Sequence, residues 1–202
     1  MRPWLALKHG GIDFEEVLHA LPEQHSGAPA FGAISPNGRV PALDLAPGVT
    51  IAESLAICEW AGEVAPTLWP DGPPGSNARA LARSASAMMH SGFSALRTDC
   101  PVNIRRRTDA SRMTEAGKAD AASVDAMWTA CLDHLGGPFL FGRFGIVDAM
   151  YAPVVTRFVT YAIPRSKTAE AYIDAITRDP HVAAWIAAAM AETRQLPRSD
   201  VA

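Results

Sequence analysis

Glu53 and Ser54 are the residues whose types and position most clearly suit ligand binding, because they stand where a predicted strand meets a predicted helix. A helix N-terminus carries unpaired N–H groups and partial positive charge, which suit a small carboxylate. The Ser54 hydroxyl would add a donor, and Glu53 would hold an ammonium group beside it, so the pair suits an α-amino-acid head group. A capped helix, with Ser54 as its N-cap or with Thr50 and Glu53 as a capping box, explains the same residues.

A second candidate segment spans residues 35–43, with the sequence SPNGRVPAL. Pro-Asn-Gly predicts a tight turn, and Val40-Pro41 at the head of a strand is a candidate cis peptide bond. A cis bond would turn the N–H and C=O of Val40 outward, where they could pair with an extended peptide. On this motif alone an ordinary trans proline is favoured, because only about 5–6% of X-Pro bonds are cis.

The remaining reactive residue types form no recognisable site in the sequence. The three cysteines are widely spaced and contain no CxxC pair, which excludes a thioredoxin-type redox centre and a disulfide framework and favours a reducing cytoplasm. Cys58 falls inside a predicted helix and is interpreted as a small buried residue. The histidines lack metal-ligand spacing, so no metal is predicted. Arg105, Arg106 and Arg107 are interpreted as a solvated loop.

The composition limits the class of protein. The chain has 202 residues, of which 49% are hydrophobic, and a net charge of −3. This balance argues against a nucleic-acid-binding protein, which usually carries a basic excess. No apolar run approaches the ~20 residues that a membrane span needs, so no membrane association is predicted.

Two domains are predicted, and they are joined by a segment rich in Pro and Gly. The first, residues 1–65, has mixed structure: a helix over 3–9, a strand over 14–21, a loop-rich stretch, a hairpin over 41–51 and a helix over 53–64. Residues 66–76 form the linker. Residues 77–202 form an all-α domain, with helices predicted over 77–97, 114–135 and 146–163 and a last helix that begins at Asp179-Pro180.

Several segments together resemble the cytosolic glutathione S-transferases of bacteria, in the right order and over almost the whole chain. The similar segments are RPWLALKHGGIDFEEV, SPNGRVPAL and IAESLAI in the first domain, and MHSGFSALR and FLFGRFGIVDAM in the second. The resemblance implies a thioredoxin-like N-terminal domain that binds glutathione as a co-substrate, followed by a helical-bundle domain. It also implies a homodimer.

The resemblance assigns roles to individual residues. It implies that the backbone of Val40, before a cis Pro41, pairs with the cysteinyl part of glutathione. Glu53 and Ser54 would hold the γ-glutamyl end, and Arg39 would attract the glycyl carboxylate. The acceptor substrate, a small electrophile, is expected beside three residues of the first long helix of the second domain: His90, Phe93 and Arg97.

The sequence departs from the family pattern at two places. Family members carry a strand and then the residue that activates the thiol before the segment that corresponds to residues 2–4, so the first strand and catalytic loop are expected to be missing and the catalytic residue is unknown. A gene start upstream of Met1 or a shortened chain is favoured over a remodelled sheet, because losing an interior strand leaves backbone groups unpaired. Gly145 also replaces the usual Ser or Thr helix cap, a minor change.

Two functions follow from these observations. The first is an enzyme that conjugates glutathione to a small electrophile or isomerises one through a glutathione adduct. The second is a non-catalytic binding or interaction module on the same fold, which the missing activating residue favours.

Overall fold

The computed structural model describes residues 1–21 and 31–194, and the first of its two parts is a small α+β unit. It contains helix α1 (Arg2–His9), strands β1 (Ala42–Ala46) and β2 (Val49–Ala52), and helix α2 (Ser54–Val64). The two strands form an antiparallel hairpin in which Leu43 pairs with Ile51. The predicted hairpin and both predicted helices are therefore confirmed. Residues 22–30 of the predicted loop-rich stretch, and residues 195–202 at the end of the second domain, lie outside the described residues.

The prediction of a strand over residues 14–21 is wrong. The structure assigns no strand or helix there, and Val17 and Leu18 are 67% and 71% exposed. A strand is stabilised by a partner and by burial of one face. Among the described residues the hairpin strands pair only with each other, so this segment has no strand partner, and only its first residue, Phe14, packs against the core.

The second part is helical, as predicted. It differs from the prediction in two ways: the first predicted helix is broken into two, and an additional helix precedes the last one. Its helices are α3 (Asn77–Ser91), α4 (Ser94–Asp99), α5 (Glu115–Leu135), α6 (Ile146–Thr160), α7 (Lys167–Arg178) and α8 (Pro180–Ala191). The prediction missed α7 and extended α6 three residues too far. The thioredoxin-like unit followed by a helical domain is the fold predicted from the resemblance.

The single helix predicted over residues 77–97 is interrupted between α3 and α4. Phe93 has a φ of 57°, in the left-handed region, and a Cβ on Gly92 would lie 2.7 Å from the carbonyl oxygen of Met88. The new direction buries Leu96 completely, and its N–H donates to the Asp120 carboxylate at 3.1 Å. The free energy gained by burying Leu96 against α5 therefore exceeds what a continuous helix over these residues would gain.

Helix α6 lies at the centre of the core, as its nearly continuous apolar sequence predicted. Ile146, Met150, Val154 and Phe158 are all completely buried. Aromatic rings surround the helix, and the Trp128 ring packs 5.0 Å from Phe158 between ring centroids. The helix contacts both α1 and α3, so it is the surface on which the two parts of the molecule are assembled.

The start of α6 explains why a glycine stands at the cap. The N–H of Gly145 donates to the Asp148 carboxylate at 3.0 Å, and the N–H of Leu140 donates to the same carboxylate at 3.1 Å. Burial raises the pKa of Asp148 to about 6. A Cβ at Gly145 would lie 2.7 Å from the carbonyl oxygen of Leu68. The usual Ser or Thr cap therefore has no room unless Leu68 moves.

The first and last helices are joined by a histidine contact. The Nε2 atom of His9 lies 3.0 Å from the carboxylate of Asp179, which also caps α8 by accepting from the N–H groups of His181 and Val182. The imidazole of His9 is stacked on Phe144 with 3.7 Å between ring centroids. Burial is the main cause that lowers the pKa of His9, so the neutral ring is favoured in this contact.

Residues 66–76 are packed against both parts. Pro66–Leu68 forms a turn of 3₁₀ helix, and Leu68 and Trp69 are each 2% exposed. Arg143 donates to the carbonyl oxygens of Thr67 and Trp69 and pairs with Asp71 at 2.7 Å.

Gly62 tests this packing, because a Cβ there would lie 2.4 Å from Nε1 of Trp69 and 2.9 Å from Cδ1 of Ile146. We expect Gly62→Ala to lower the free energy of unfolding by about 1–3 kcal/mol through overpacking. The control is Glu63→Ala at the neighbouring exposed position, with an effect within about 0.5 kcal/mol. Denaturant unfolding measures both, and equal midpoints for the two variants would contradict the packing described here.

Candidate functional site

Asn37 connects the turn at residues 35–39 to the start of α2. Its Nδ2 donates to Oε1 of Glu53 at 2.8 Å. Its Oδ1 accepts from the Ser35 hydroxyl at 2.8 Å and from the N–H of Arg39 at 3.0 Å. One amide side chain therefore orients the turn and the carboxylate together. The sequence predicted Asn37 only as a turn residue. The signal that could have indicated its second role is that an amide side chain both donates and accepts hydrogen bonds.

The turn itself forms as predicted and presents Val40 to solvent. Gly38 has a φ of 65°, and its N–H donates to the carbonyl oxygen of Ser35 at 3.0 Å. The Val40–Pro41 bond is cis, as the resemblance implied and the motif alone did not favour. Val40 is 40% exposed, and its N–H and C=O make no hydrogen bond with the described residues. The guanidinium of Arg39, an exposed residue, likewise makes no hydrogen bond or ion pair with them.

Glu53 and Ser54 occupy the beginning of α2, but neither caps the helix with its side chain. The helix begins at Ser54, and Glu53 is the N-cap position, so the prediction of Ser54 as N-cap is wrong. The capping box of Thr50 and Glu53 is also not formed, because Thr50 donates to Asp44 and Glu53 accepts from Asn37. The strand leads directly into the helix, and this connection holds Glu53 at a φ of 74°.

The helix start leaves donors available for a ligand. The first helical hydrogen bond runs from the N–H of Ile57 to the carbonyl oxygen of Glu53 at 3.1 Å. The N–H groups of the residues before Ile57 in the helix have no partner within it. The Ser54 hydroxyl, in a residue 8% exposed, makes no hydrogen bond with the described residues and is not among the fully buried unpartnered atoms.

The structure brings two of the three predicted acceptor residues to the same place. Nε2 of His90 lies 3.7 Å from Oε2 of Glu53, and Nη1 of Arg97 donates to the carbonyl oxygen of His90 at 3.3 Å. Phe93 lies between them in the chain, at the break after α3, with its ring 6.5 Å from that of Tyr151. The end of α3 and the start of α4 therefore adjoin the Glu53 side chain.

Among the described residues, the cysteines and the metal-ligating side chains form no alternative centre. Cys58 is completely buried, one helical turn after Ser54, and burial raises the pKa of its thiol to about 12. Cys100 is buried as well, and burial raises the pKa of its thiol to about 11. Within residues 1–21 and 31–194, no three His, Cys, Asp or Glu side chains come together in a way that could hold a metal ion. In the same ranges, no helix is long and apolar enough to cross a membrane.

The fold and this candidate site define a class: a thioredoxin-like unit with a candidate ligand site between a turn and a helix start, completed by a helical domain. Residues 1–64 match the family model of the glutathione S-transferase N-terminal domain, and residues 113–188 match that of the C-terminal domain. The chain belongs to the glutathione S-transferase family. No curated protein sequence matches it.

Solved structures from bacteria share the fold over nearly the whole chain. A glutathione transferase homolog from Burkholderia gl BGR1, with bound glutathione, is 25% identical with a TM-score of 0.64, covering 95% of this chain and 91% of that one. A sphingomonad glutathione S-transferase complexed with glutathione is 26% identical with a TM-score of 0.62, covering 93% and 92%. A glutathione transferase from Methylococcus capsulatus is 24% identical with a TM-score of 0.67, covering 95% and 94%, and is similar in fold.

The backbone of Glu53 gives a test of the site that requires no ligand. Glu53→Ala and Glu53→Gly both remove the carboxylate, but only Ala retains a Cβ at a φ of 74°. We expect Glu53→Ala to be less stable than Glu53→Gly by about 1 kcal/mol in urea unfolding, because a left-handed conformation disfavours a side chain.

The same pair of substitutions at Glu63, an exposed position inside α2, should show the opposite order, because glycine weakens a helix interior. Equal stability of the two Glu53 variants, or a more stable Glu53→Ala, would contradict the backbone conformation described here.

Proposed function

We propose that this protein binds glutathione at the turn and helix start joined by Asn37, and conjugates it through its sulfur to a small electrophile. The observation that carries the proposal is the 2.8 Å hydrogen bond between Asn37 and Glu53. This hydrogen bond holds the turn at residues 35–39 beside the start of α2, although the two segments are separated in sequence. Each segment would bind one part of a γ-linked tripeptide. The bound glutathione in the Burkholderia and sphingomonad structures supports the choice of ligand.

The γ-glutamyl end is assigned to Glu53 and Ser54. The Glu53 carboxylate, which is about half exposed beside His90, would pair with the α-ammonium group. The Ser54 hydroxyl and the unpaired N–H groups of the first helical turn would donate to the α-carboxylate. The site thus offers a negative charge for the ammonium group of an α-amino acid, and hydrogen-bond donors with partial positive charge for its carboxylate.

The rest of the tripeptide is assigned to residues 39–41. The unpaired N–H and C=O of Val40, set by the bond to Pro41, would pair with the backbone of the cysteinyl residue, as an added strand does. The exposed guanidinium of Arg39 would attract the glycyl carboxylate. His90, Phe93 and Arg97 would then lie beside the sulfur and line the acceptor site.

The reaction is a nucleophilic substitution by the thiolate. The glutathione thiol gives its proton to solvent, and its sulfur attacks the electrophilic carbon. A C–S bond forms, the bond from that carbon to a halide breaks, and the halide leaves with the electron pair. Bringing the two reactants together in one site supplies the proximity contribution to the rate. The residue that stabilises the thiolate is not assigned.

Retention on immobilised glutathione tests the binding site. We expect the wild-type protein to be retained and to elute with free glutathione. Glu53→Gln and Ser54→Ala should each lower glutathione affinity by about tenfold, because each removes a charge-assisted hydrogen bond of about 1.5 kcal/mol. The control is Glu63→Gln, which removes the same charge from an exposed position of α2 and should leave retention unchanged.

Unchanged affinity in both site variants would mean that the turn and helix start do not bind the peptide. Conjugation of chlorodinitrobenzene, followed by chloride release, tests the transfer separately. Retention without any conjugation would contradict the enzymatic function and support the non-catalytic module.

The cellular setting and oligomeric state are further parts of the proposal. Free cysteines and the ligand itself fit a reducing cytoplasm and a role in detoxification.

The exposed apolar residues of α3 suit a dimer interface. Leu81 and Met88, which lie on one face of α3, are 54% and 47% exposed. A homodimer would bury this face against a second copy.

Sedimentation velocity at micromolar concentration tests the dimer. We expect Met88→Glu to shift the protein to a monomer, because a charge in an apolar interface is left unpaired. Met190→Glu is the control, since Met190 is 52% exposed on α8, away from α3. A monomeric wild-type protein would contradict the dimer.

A further inference from the structure

Three arginines near the proposed acceptor site have no acidic partner. Arg2 donates through Nε to the carbonyl oxygen of Met150 at 3.0 Å. Arg157 donates to the carbonyl oxygens of Cys100 at 2.7 Å and Pro153 at 3.0 Å, and Arg97 donates to that of His90. Among the ion pairs of the described residues, none involves these three guanidinium groups. We refer to Arg2, Arg97 and Arg157 as the arginine cluster.

The backbone partners of the cluster place its members together. Arg2 and Arg157 are bound to successive turns of α6, at Met150 and Pro153. Arg157 also holds the carbonyl of Cys100, the residue that ends α4, and Arg97 lies on the preceding turn of that helix. Arg2 and Arg157 are therefore held along α6, and Arg97 lies one helical turn from the end of α4 that Arg157 binds.

The charges of the cluster act on one another. Burial is the largest cause that lowers the pKa of Arg2 to about 10, and the charge of Arg97 is the next. Burial also lowers the pKa of Arg157 to about 10, followed by the charges of Arg2 and Arg97. Arg2 and Arg157 remain cationic at neutral pH, so burying these two groups without a counter-ion lowers the stability of the folded protein.

Nearby acidic groups are already engaged. Asp99 accepts from the N–H and hydroxyl of Thr114 at 2.8 and 2.7 Å, and Asp120 accepts from the N–H of Leu96. Glu53 accepts from Asn37 and faces His90. Besides Arg97, the charge of Arg2 interacts with the positive charge of Arg157 and with the neutral side chains of Cys58 and Tyr151, and none of these is a counter-ion.

The cluster also has hydrogen-bond donors left over. A guanidinium group carries five N–H donors, and the bonds given above use one each in Arg2 and Arg97 and two in Arg157. Arg157 as a residue is 7% exposed. The fully buried nitrogens without a partner in the described residues are those of Trp69 and Trp128. The unused guanidinium nitrogens therefore retain access to solvent or to a ligand.

We propose that the arginine cluster binds an anionic group of the acceptor substrate, so that the preferred electrophile carries a carboxylate. The inference rests on the proposed function and names the substrate class of the same site. Both carboxylates of glutathione already have assigned donors, at Ser54 and Arg39, whereas the cluster adjoins His90 on the acceptor side. The planar fork of a guanidinium matches a carboxylate with two parallel hydrogen bonds.

Two acceptors that differ by one charge test the proposal: neutral chlorodinitrobenzene and anionic chlorodinitrobenzoate. We expect the wild-type protein to have the higher kcat/KM with the benzoate. Arg97→Gln should lower the ratio of kcat/KM for the benzoate to that for the neutral acceptor by about tenfold or more, the effect of one charged hydrogen bond. Arg97 is exposed, so this variant is expected to fold.

The matched control is Arg112→Gln, which removes one positive charge from an exposed residue outside the cluster and should leave the ratio unchanged. An equal fall of kcat/KM for both acceptors in Arg97→Gln, with a shifted pH profile, would assign the cluster to stabilising the thiolate instead and would overturn the proposal. A wild-type preference for the neutral acceptor would also overturn it.

Binding of dinitrobenzoate, which has no leaving group, separates this inference from the proposed function. Titration calorimetry should detect binding to the wild-type protein and about tenfold weaker binding to Arg97→Gln. Binding that is lost in this variant, together with no conjugation of either acceptor, would support the anion site and contradict the transferase function. Equal binding to both proteins, or no binding to either, would overturn the anion site.

Discussion

The hydrogen bond from Asn37 to Glu53 is the contact on which the ligand site depends. These residues lie 16 positions apart, on a turn and at a helix start that would otherwise be independent. The amide of Asn37 accepts from the turn and donates to the carboxylate, so it orients both at once. It also fixes one oxygen of Glu53 and leaves the other facing His90 in the helical domain. One side chain thus links all three segments of the site.

Helix α6 provides the rigid support for this arrangement. Its buried faces contact α1 and α3, and its carbonyl groups hold Arg2 and Arg157. A close-packed helix of this kind resists displacement, because any shift opens voids or creates overlaps. The positions of Arg2 and Arg157, and of the end of α4 that Arg157 binds, are therefore set by the same core that holds the two parts together.

Much of the fold was predictable because it follows from local chemistry. Thr114 accepts from the N–H of Gly117 at the start of α5, and Asp179 caps α8, both typical of helix starts. The prediction failed where long-range packing decides. Residues 14–21 alternate like a strand yet have no partner in the described residues. The sequence 77–97 is periodic like one helix, yet it breaks at Phe93 so that Leu96 can be buried.

The sequence by itself determined the candidate residues of the site: the turn at 36–38, Val40 before Pro41, Glu53 with Ser54, and the region of His90 to Arg97. The turn and the helix start follow from residue types and short spacings, because both are governed by near neighbours in the chain. The cis bond before Pro41 and the region of His90 to Arg97 were implied by the resemblance to the family. Only the tertiary structure decided that Asn37 joins them and that Arg2 and Arg157 gather beside Arg97. Such contacts connect residues up to 148 positions apart, and no local pattern encodes which distant carbonyl group a side chain will reach.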